Sequence, residues 1–382
     1  MTRFPVAEFM EHPTPFYYYD LGLLRTTLAA VNDGIGQSLF HVHYALKANV
    51  NPGVLGPIVA AGFGADCVSV GEIRAALKAG FPAEKIFFAG VGKSDSEIDF
   101  ALDAHIGCFN VESLPELELI ADMASNKSVI ANVALRVNPD IDAHTHHYIT
   151  TGLEENKFGI ALEMLDDAIA LCLKQPNLRL CGLHFHIGSQ ITCLEPYRLL
   201  CKRAEKLMSD YASHGIRFDF INVGGGLGVD YEDPDAHPVA DFKAFFDVFR
   251  ENLTLAPGQQ LHFELGRSIV AQCGSLITRV LYVKEGVGKK FVIVDAGMTD
   301  LIRPALYGAH HKIENITSTA VDTDTYDVVG PICESSDCFG KDEVLPITSR
   351  GDLLAIRSAG AYGEIMAMGY NMRPLPTSII GR

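Results

Sequence analysis

No stretch of the 382-residue chain approaches the ~18 consecutive apolar residues that a membrane helix needs, and no two cysteines form a C-x-x-C pair. The first absence removes a membrane-spanning helix from consideration. The second, with nine cysteines scattered along the chain, argues against a zinc site or a disulfide framework. Most of these cysteines are expected to be small buried apolar groups in a reducing compartment. The opening stretch Met1–Pro15 contains Glu8, Glu11 and prolines, with no apolar run behind a basic start. It does not read as a signal peptide, and a cytoplasmic protein is expected. Positive charge is scarce: 31 Lys and Arg against 47 Asp and Glu leave a net charge of −16. A nucleic-acid partner, which needs a basic face, is therefore not expected, whereas a local arginine cluster for a small substrate remains compatible.

What is present is an ordinary globular balance, 48% apolar and 20% charged, in a chain long enough for one large and one smaller domain. From about residue 40 short apolar runs alternate with amphipathic ones. The runs predict strands at 41–46, 64–68, 86–89, 108–111, 133–137, 180–186, 218–223 and 261–264. Three- and four-residue spacing predicts helices at 71–79, 95–104, 115–124, 162–173, 197–213 and 242–252, with Ser94, Ser113 and Asp241 as N-caps for three of them. Such strand–helix units fit a (β/α)8 barrel, and an open doubly wound sheet gives the same alternation. After about residue 267 strand-like runs at 277–284, 290–294, 327–329 and 353–358 follow without long helices. The expected fold is thus α/β, a (β/α)8 TIM barrel over 21–267 followed by a C-terminal β-rich domain over 268–382. Residues 1–20, with a strand at 16–19, are expected to join the second domain.

Catalysis in a barrel sits where strands end at the C-terminal face. The predicted strand ends carry Lys47, Asp66, Arg136, His186, Gly224-Gly225-Gly226 and Glu264. Lys47 is either a solvated rim lysine or an amine held for carbonyl chemistry. The three glycines are either a tight turn or a place where backbone N–H groups approach a phosphate. Glu264, with Arg267 three residues on, is either half of a structural ion pair or the partner of a pyridine nitrogen; His186 is either a core histidine or a ring-stacking one. Gly90-Val91-Gly92-Lys93-Ser94 resembles the end of a P-loop, but the motif's first glycine falls on Phe87. The triple glycine fails the G-x-G-x-x-G spacing at Val229. His144, His146 and His147 lack a partner cysteine or carboxylate at ligand spacing, so no metal site is expected.

Read together, several segments resemble the alanine-racemase-fold decarboxylases that use pyridoxal 5'-phosphate (PLP). They are Tyr44–Asn49, Gly64–Ser69, His184–Gln190, the triple glycine, Glu264–Arg267, Arg303–Tyr307, Cys333–Asp337 and Gly360–Gly363. The resemblance implies that Lys47 is the Schiff-base lysine, that His186 stacks on the ring and that Glu264 pairs with the pyridine nitrogen. It further implies cofactor contacts by Asp66, Arg136, Ser189, Gly225, Gly226, Gly266, Arg267 and Tyr362. Arg267, Arg303, Tyr307, Glu334 and Tyr362 are the implied substrate binders, and Cys333 the implied proton donor. One departure is Leu265, where the family commonly has proline.

The family relation also implies a homodimer in which the Cys333–Glu334 loop and the segment around Tyr362 serve the neighbouring subunit. The expected reaction is decarboxylation of meso-2,6-diaminopimelate to L-lysine, the last step of lysine biosynthesis. Ornithine, lysine or arginine decarboxylation on the same fold is the alternative, although those substrates leave the arginines at 267 and 303 without a distal carboxylate. A racemase and a non-catalytic regulator are further rivals; the first normally pairs the pyridine nitrogen with arginine, and the second has no need of Lys47 and Cys333.

Overall fold

The computed structural model describes residues 4–139, 141 and 157–381; the histidines at 144, 146 and 147 lie outside them. Strand β1 (Phe16–Asp20) comes first. Eight parallel strands follow: β2 (Phe40–Ala45), β3 (Gly64–Cys67), β4 (Ile86–Phe88), β5 (Cys108–Val111), β6 (Ala131–Arg136), β7 (Leu178–His184), β8 (Phe220–Asn222) and β9 (Gln260–Leu265). They pair in sequence order, and β9 returns to β2 with His43 opposite Glu264. That closure decides for the barrel over the open sheet. It also makes the alternation of side chains an inside–outside rule: Phe40 and Phe263 point to the helices, where they meet Phe246, while their neighbours fill the barrel.

The helical N-termini form where expected. Ser113 accepts from Glu116 N and Asp241 from Ala244 N, while Ser94 and Glu97 make a reciprocal capping box. The Leu162–Leu173 helix begins as a 3-10 turn, Leu162–Met164, and becomes α-helical over Leu165–Lys174. Helices at Leu21–Ile35 and Pro52–Ala60 were not anticipated. The strand expected to run to His186 stops at His184, ahead of a turn in which Gly188 has φ 146°. His186 therefore lies beyond the ladder rather than at its last rung.

The remaining strands are β10 (Gly274–Glu285), β11 (Lys290–Val294), β12 (Ile313–Asn315), β13 (Thr323–Val329), β14 (Cys338–Pro346), β15 (Leu353–Ile356) and β16 (Thr377–Gly381). With β1 they form a sheet in the order β12-β15-β10-β11-β13-β14, with β1 bridging β10 and β16. Two compact units result. The barrel unit comprises Thr27–Gly228 and Asp241–Ser268; the β-rich unit gathers residues up to Thr26, Val229–Ala240 and those from Ile269 on. Val229–Ala240, which the 21–267 reading placed in the barrel, groups with the sheet because its acidic and backbone groups are bound there. Asp235 pairs with Arg357, and Asp230 O accepts from Gln272.

The barrel floor is a layer of rings. Phe87, Cys108, Ala134, Cys181 and Phe220 form one buried cluster. His262 stacks on Phe220 at 4.4 Å, and His43 packs on Phe87 at 4.1 Å. His43 Nδ1 lies 3.2 Å from Lys85 O, its Nε2 2.9 Å from His262 Nδ1, and His262 Nε2 3.0 Å from Gln260 Oε1. Burial drives both rings below the ordinary imidazole range, His43 to about 4.

These depressed values set the direction of the pH dependence. The unfolded chain takes up protons below pH ~6.5, while the folded floor resists them, so stability is lost as pH falls from ~6.5 toward 4. His43 alone is worth roughly 3 kcal/mol of that loss. Thermal melts of His262→Phe between pH 7 and pH 4 should show a shallower acid decline than the parent, and parallel declines would contradict the depressed values.

Candidate active site

Above the floor the inward positions turn polar. Asp66 (β3), Asn110 (β5), Arg136 (β6), His184 (β7), Asn222 (β8) and Glu264 (β9) are all buried. Asn110, Arg136, Asn222 and Glu264 each lie two residues beyond a floor residue (Cys108, Ala134, Phe220 and His262), as the two-residue period of a strand requires. Glu264 is the hub. Its Oε1 accepts from Asn110 Nδ2 (3.0 Å) and Asn222 Nδ2 (2.8 Å), and its Oε2 lies 3.1 Å from His184 Nε2. Burial by itself raises this carboxyl, but His184 and the nearby charge of Lys47 outweigh it and hold Glu264 below the usual carboxylate range.

Asp66 is the opposite case. It is fully buried, and neither oxygen accepts a hydrogen bond among the described residues. Burial and then the Glu264 charge push it upward, against the pull of Lys47, whose Nζ is 3.6 Å from Oδ2. Two carboxyls in one buried layer thus differ in charge preference because one has three donors and the other none. Lys47 itself sits on the single 3-10 turn Leu46–Ala48 that ends β2, with its side chain 38% exposed. Gly266 faces this turn, and a Cβ there would press on Ala45 and Ala48.

The three glycines satisfy a backbone need. Gly224 and Gly226 have φ of 69° and 101°, and a Cβ on Gly225 would collide with Glu264 O. Gly224 N donates to Asn222 Oδ1 (2.9 Å) and Gly225 N to His186 Nδ1 (3.3 Å). Gly226 N makes no hydrogen bond among the described residues, so it is the N–H of the three left for a ligand. His186, accepting at Nδ1, is driven well below the imidazole range by burial and then by Lys47 and Arg136. Arg267 donates to Ser189 Oγ from Nε (3.3 Å) and NH2 (2.9 Å).

Four residues escaped the sequence reading. Asn110, His184 and Asn222 are polar positions inside apolar strands, a signal that was there to be used. Glu112 is the fourth: it binds Arg136 NH1 (2.7 Å), Gly90 N (3.0 Å) and Gly159 N (3.1 Å), tying three strand-end loops together. Lys93, in the P-loop-like stretch, is consumed structurally: it donates to Glu116 (2.6 Å), Asn110 O and Gly90 O.

The other predicted site residues belong to the β-rich unit. Arg303 and Tyr307 open and close the helix Arg303–Tyr307, with the buried guanidinium over the rings of Tyr231 (5.4 Å) and Tyr307 (6.0 Å). Cys333 and Glu334 are exposed. Their loop is tied down by Asp337, whose carboxylate accepts from Met298 N and Ile332 N, both at 2.6 Å. Glu334 Oε1 accepts from Tyr370 OH at 2.7 Å. Tyr362 has φ 57°, a left-handed backbone that tyrosine rarely adopts. The nine cysteines are all free thiols, six of them buried. None of the helices described is long and apolar enough to cross a membrane.

A family model described as "Pyridoxal-dependent decarboxylase, pyridoxal binding domain" matches residues 24–271. Diaminopimelate decarboxylase from Bacteroides thetaiotaomicron is 58% identical over 98% of this chain and 97% of its own length. The Helicobacter pylori enzyme of that name is 44% identical over 96% of this chain and 90% of its own. A crystal structure of the H. pylori enzyme complexed with L-lysine superposes with a TM-score of 0.94, at 42% identity, covering 99% of this chain and 94% of that one. A lysine/ornithine decarboxylase from Vibrio vulnificus, at 24% identity and TM-score 0.85, shares the fold.

The crowding at Gly225 yields a direct test. Gly225→Ala must push β8 and β9 apart at Glu264 O, so thermal unfolding should show a loss of about 3 kcal/mol or no soluble protein. Unchanged stability would mean that the strands have room to spare there.

Proposed function

The chain belongs to the family of pyridoxal-dependent decarboxylases, and from that premise we propose that it removes one carboxylate of meso-diaminopimelate to leave L-lysine. The observation that carries the chemistry is the contrast at the barrel mouth: Glu264 ionised by three donors, next to a lysine amine and an undonated Asp66. This set fits pyridoxal phosphate. Lys47 Nζ is the amine for its aldehyde, Glu264 the anion for its ring nitrogen, and Gly226 N a free donor for its phosphate.

Bound there, pyridoxal phosphate supplies the sink for the electron pair that the departing CO2 leaves behind. The chain's own residues do the rest. Glu264 would keep a proton on the ring nitrogen, and His186, fixed through Gly225 N, would face the ring. Asp66, Arg136, Ser189, Gly225 and Gly266 would line the cofactor's surroundings, with Tyr362 supplied by a second copy of the chain. Arg267 and Arg303 receive carboxylates, with Tyr307 beside Arg303, because a planar guanidinium matches a carboxylate with two parallel hydrogen bonds. Glu334, an exposed anion, receives the distal ammonium of the substrate. Cys333 Sγ–H delivers a proton to the carbon that has lost CO2 and regains one from water. The exposure of Cys333 and Glu334 suits a loop that serves a second copy of the chain, so we read the protein as a cytoplasmic homodimer with composite sites.

Purified protein loaded with pyridoxal phosphate should release CO2 from meso-diaminopimelate and not from ornithine, arginine or lysine. Release from one of the latter would retain the cofactor chemistry and displace the substrate assignment; silence with all four, despite a visible cofactor band, would favour a racemase or a regulator. Cys333→Ala should lower kcat by at least about 100-fold, the scale of a positioned general acid. Full turnover with clean product would remove the cysteine from the scheme.

A further inference from the structure

Arg303 does not hold its orientation alone. Its Nε–H donates to His311 Nε2 at 3.2 Å, and His311 in turn gives Nδ1–H to Arg357 O at 2.8 Å. His311 is completely buried and stands edge-on to Tyr231, with ring centroids 5.1 Å apart and planes at 79°. The two hydrogen bonds admit one arrangement: a neutral imidazole with its proton on Nδ1 and its acceptor face turned to Arg303. Arg357 is itself anchored, donating to Glu314 Oε2 (2.6 Å) and Asp235 Oδ1 (3.0 Å). Asp235 and Tyr231 both come from Val229–Ala240, the excursion that leaves the barrel between β8 and the helix Phe242–Asn252. One short segment thus supplies both the ring under the guanidinium and the clamp on the residue behind it.

We propose that His311 is a specificity-determining positioning residue: by accepting from Arg303 Nε it turns the two terminal amino groups of the guanidinium toward the substrate carboxylate that is not lost. A guanidinium has one edge formed by Nε and one terminal nitrogen and another formed by both terminal nitrogens. With Nε bound to His311, the edge formed by both terminal nitrogens is the one whose geometry suits a two-point grip on a carboxylate. The Tyr231 and Tyr307 rings restrict tilting about that axis. Because the reaction breaks only the other carboxyl bond, L-lysine retains the carboxylate that Arg303 holds. Product affinity must therefore depend on His311 as substrate affinity does.

The inference rests on the reading that Arg303 binds a substrate carboxylate, and the experiment separates the two. In the holoenzyme, His311→Leu should raise KM for meso-diaminopimelate about ten-fold and weaken inhibition by L-lysine to the same extent, the scale of one lost hydrogen bond to a charged group. Turnover should stay within about two-fold and the visible cofactor band should not change, because no contact to the reacting carbon is removed. His311→Gln, whose Oε1 can accept from Arg303, should recover most of the affinity. A fall in kcat at constant KM and constant lysine inhibition, or a Gln variant no better than Leu, would overturn the proposal. If Arg303→Gln leaves KM unchanged, the carboxylate reading of Arg303 fails; if it raises KM while His311→Leu does not, the positioning role alone fails. Should His311→Leu not fold, Tyr231→Leu carries the same measurement, with a KM increase at constant kcat expected and an unchanged KM against the proposal.

Discussion

The carboxylate of Glu264 and its three donors are the constraint around which the barrel mouth is arranged. Asn222 stands on β8, the ladder neighbour of β9, while Asn110 of β5 and His184 of β7 reach the same side chain across the interior of the closed barrel. Without closure Glu264 would keep only the donor of its neighbouring strand, and a buried carboxylate short of donors costs several kcal/mol. Closure and charge are therefore one problem solved together. Asp66, without a donor among the described residues and pushed upward by burial and by the Glu264 charge, is the counterpart.

Below this layer the barrel is filled by rings and thiols; above it, loops carry Lys47, His186 and the glycines. The order follows from the two-residue strand period. His262 and Glu264, or Phe220 and Asn222, are successive inward positions, one in the floor and one in the polar layer. Glycine enters where the loops press on one another, at Gly225 against Glu264 O and Gly266 against Ala45. The β-rich unit applies the same economy to Arg303, whose guanidinium is held by aromatic faces and one imidazole.

Much of this was legible in the chain. The barrel strands were visible as apolar runs and their number as a rhythm, and Lys47, Asp66 and Glu264 stood out as polar groups at strand ends. Closure was not legible, because the hydrogen bonds between β9 and β2 join residues more than 200 positions apart and leave no periodic trace. His186 reads as part of the strand because Phe185 extends the apolar run past His184, while the ladder stops at His184 and the chain turns at Gly188. Asn110, His184 and Asn222 were passed over because short polar side chains inside a strand are ambiguous until their common target is known. Val229–Ala240 was assigned to the barrel by sequence order, and only the pairing of Asp235 with Arg357 reveals where it belongs.

Glu264, held ionised by its donors, would keep the ring nitrogen of bound pyridoxal phosphate protonated. Nitrogen-15 NMR of the protein loaded with ring-labelled pyridoxal phosphate reads that proton directly. A protonated-pyridine shift is expected in the parent protein and an unprotonated one in Glu264→Gln. An unprotonated nitrogen in the parent would contradict this role of Glu264.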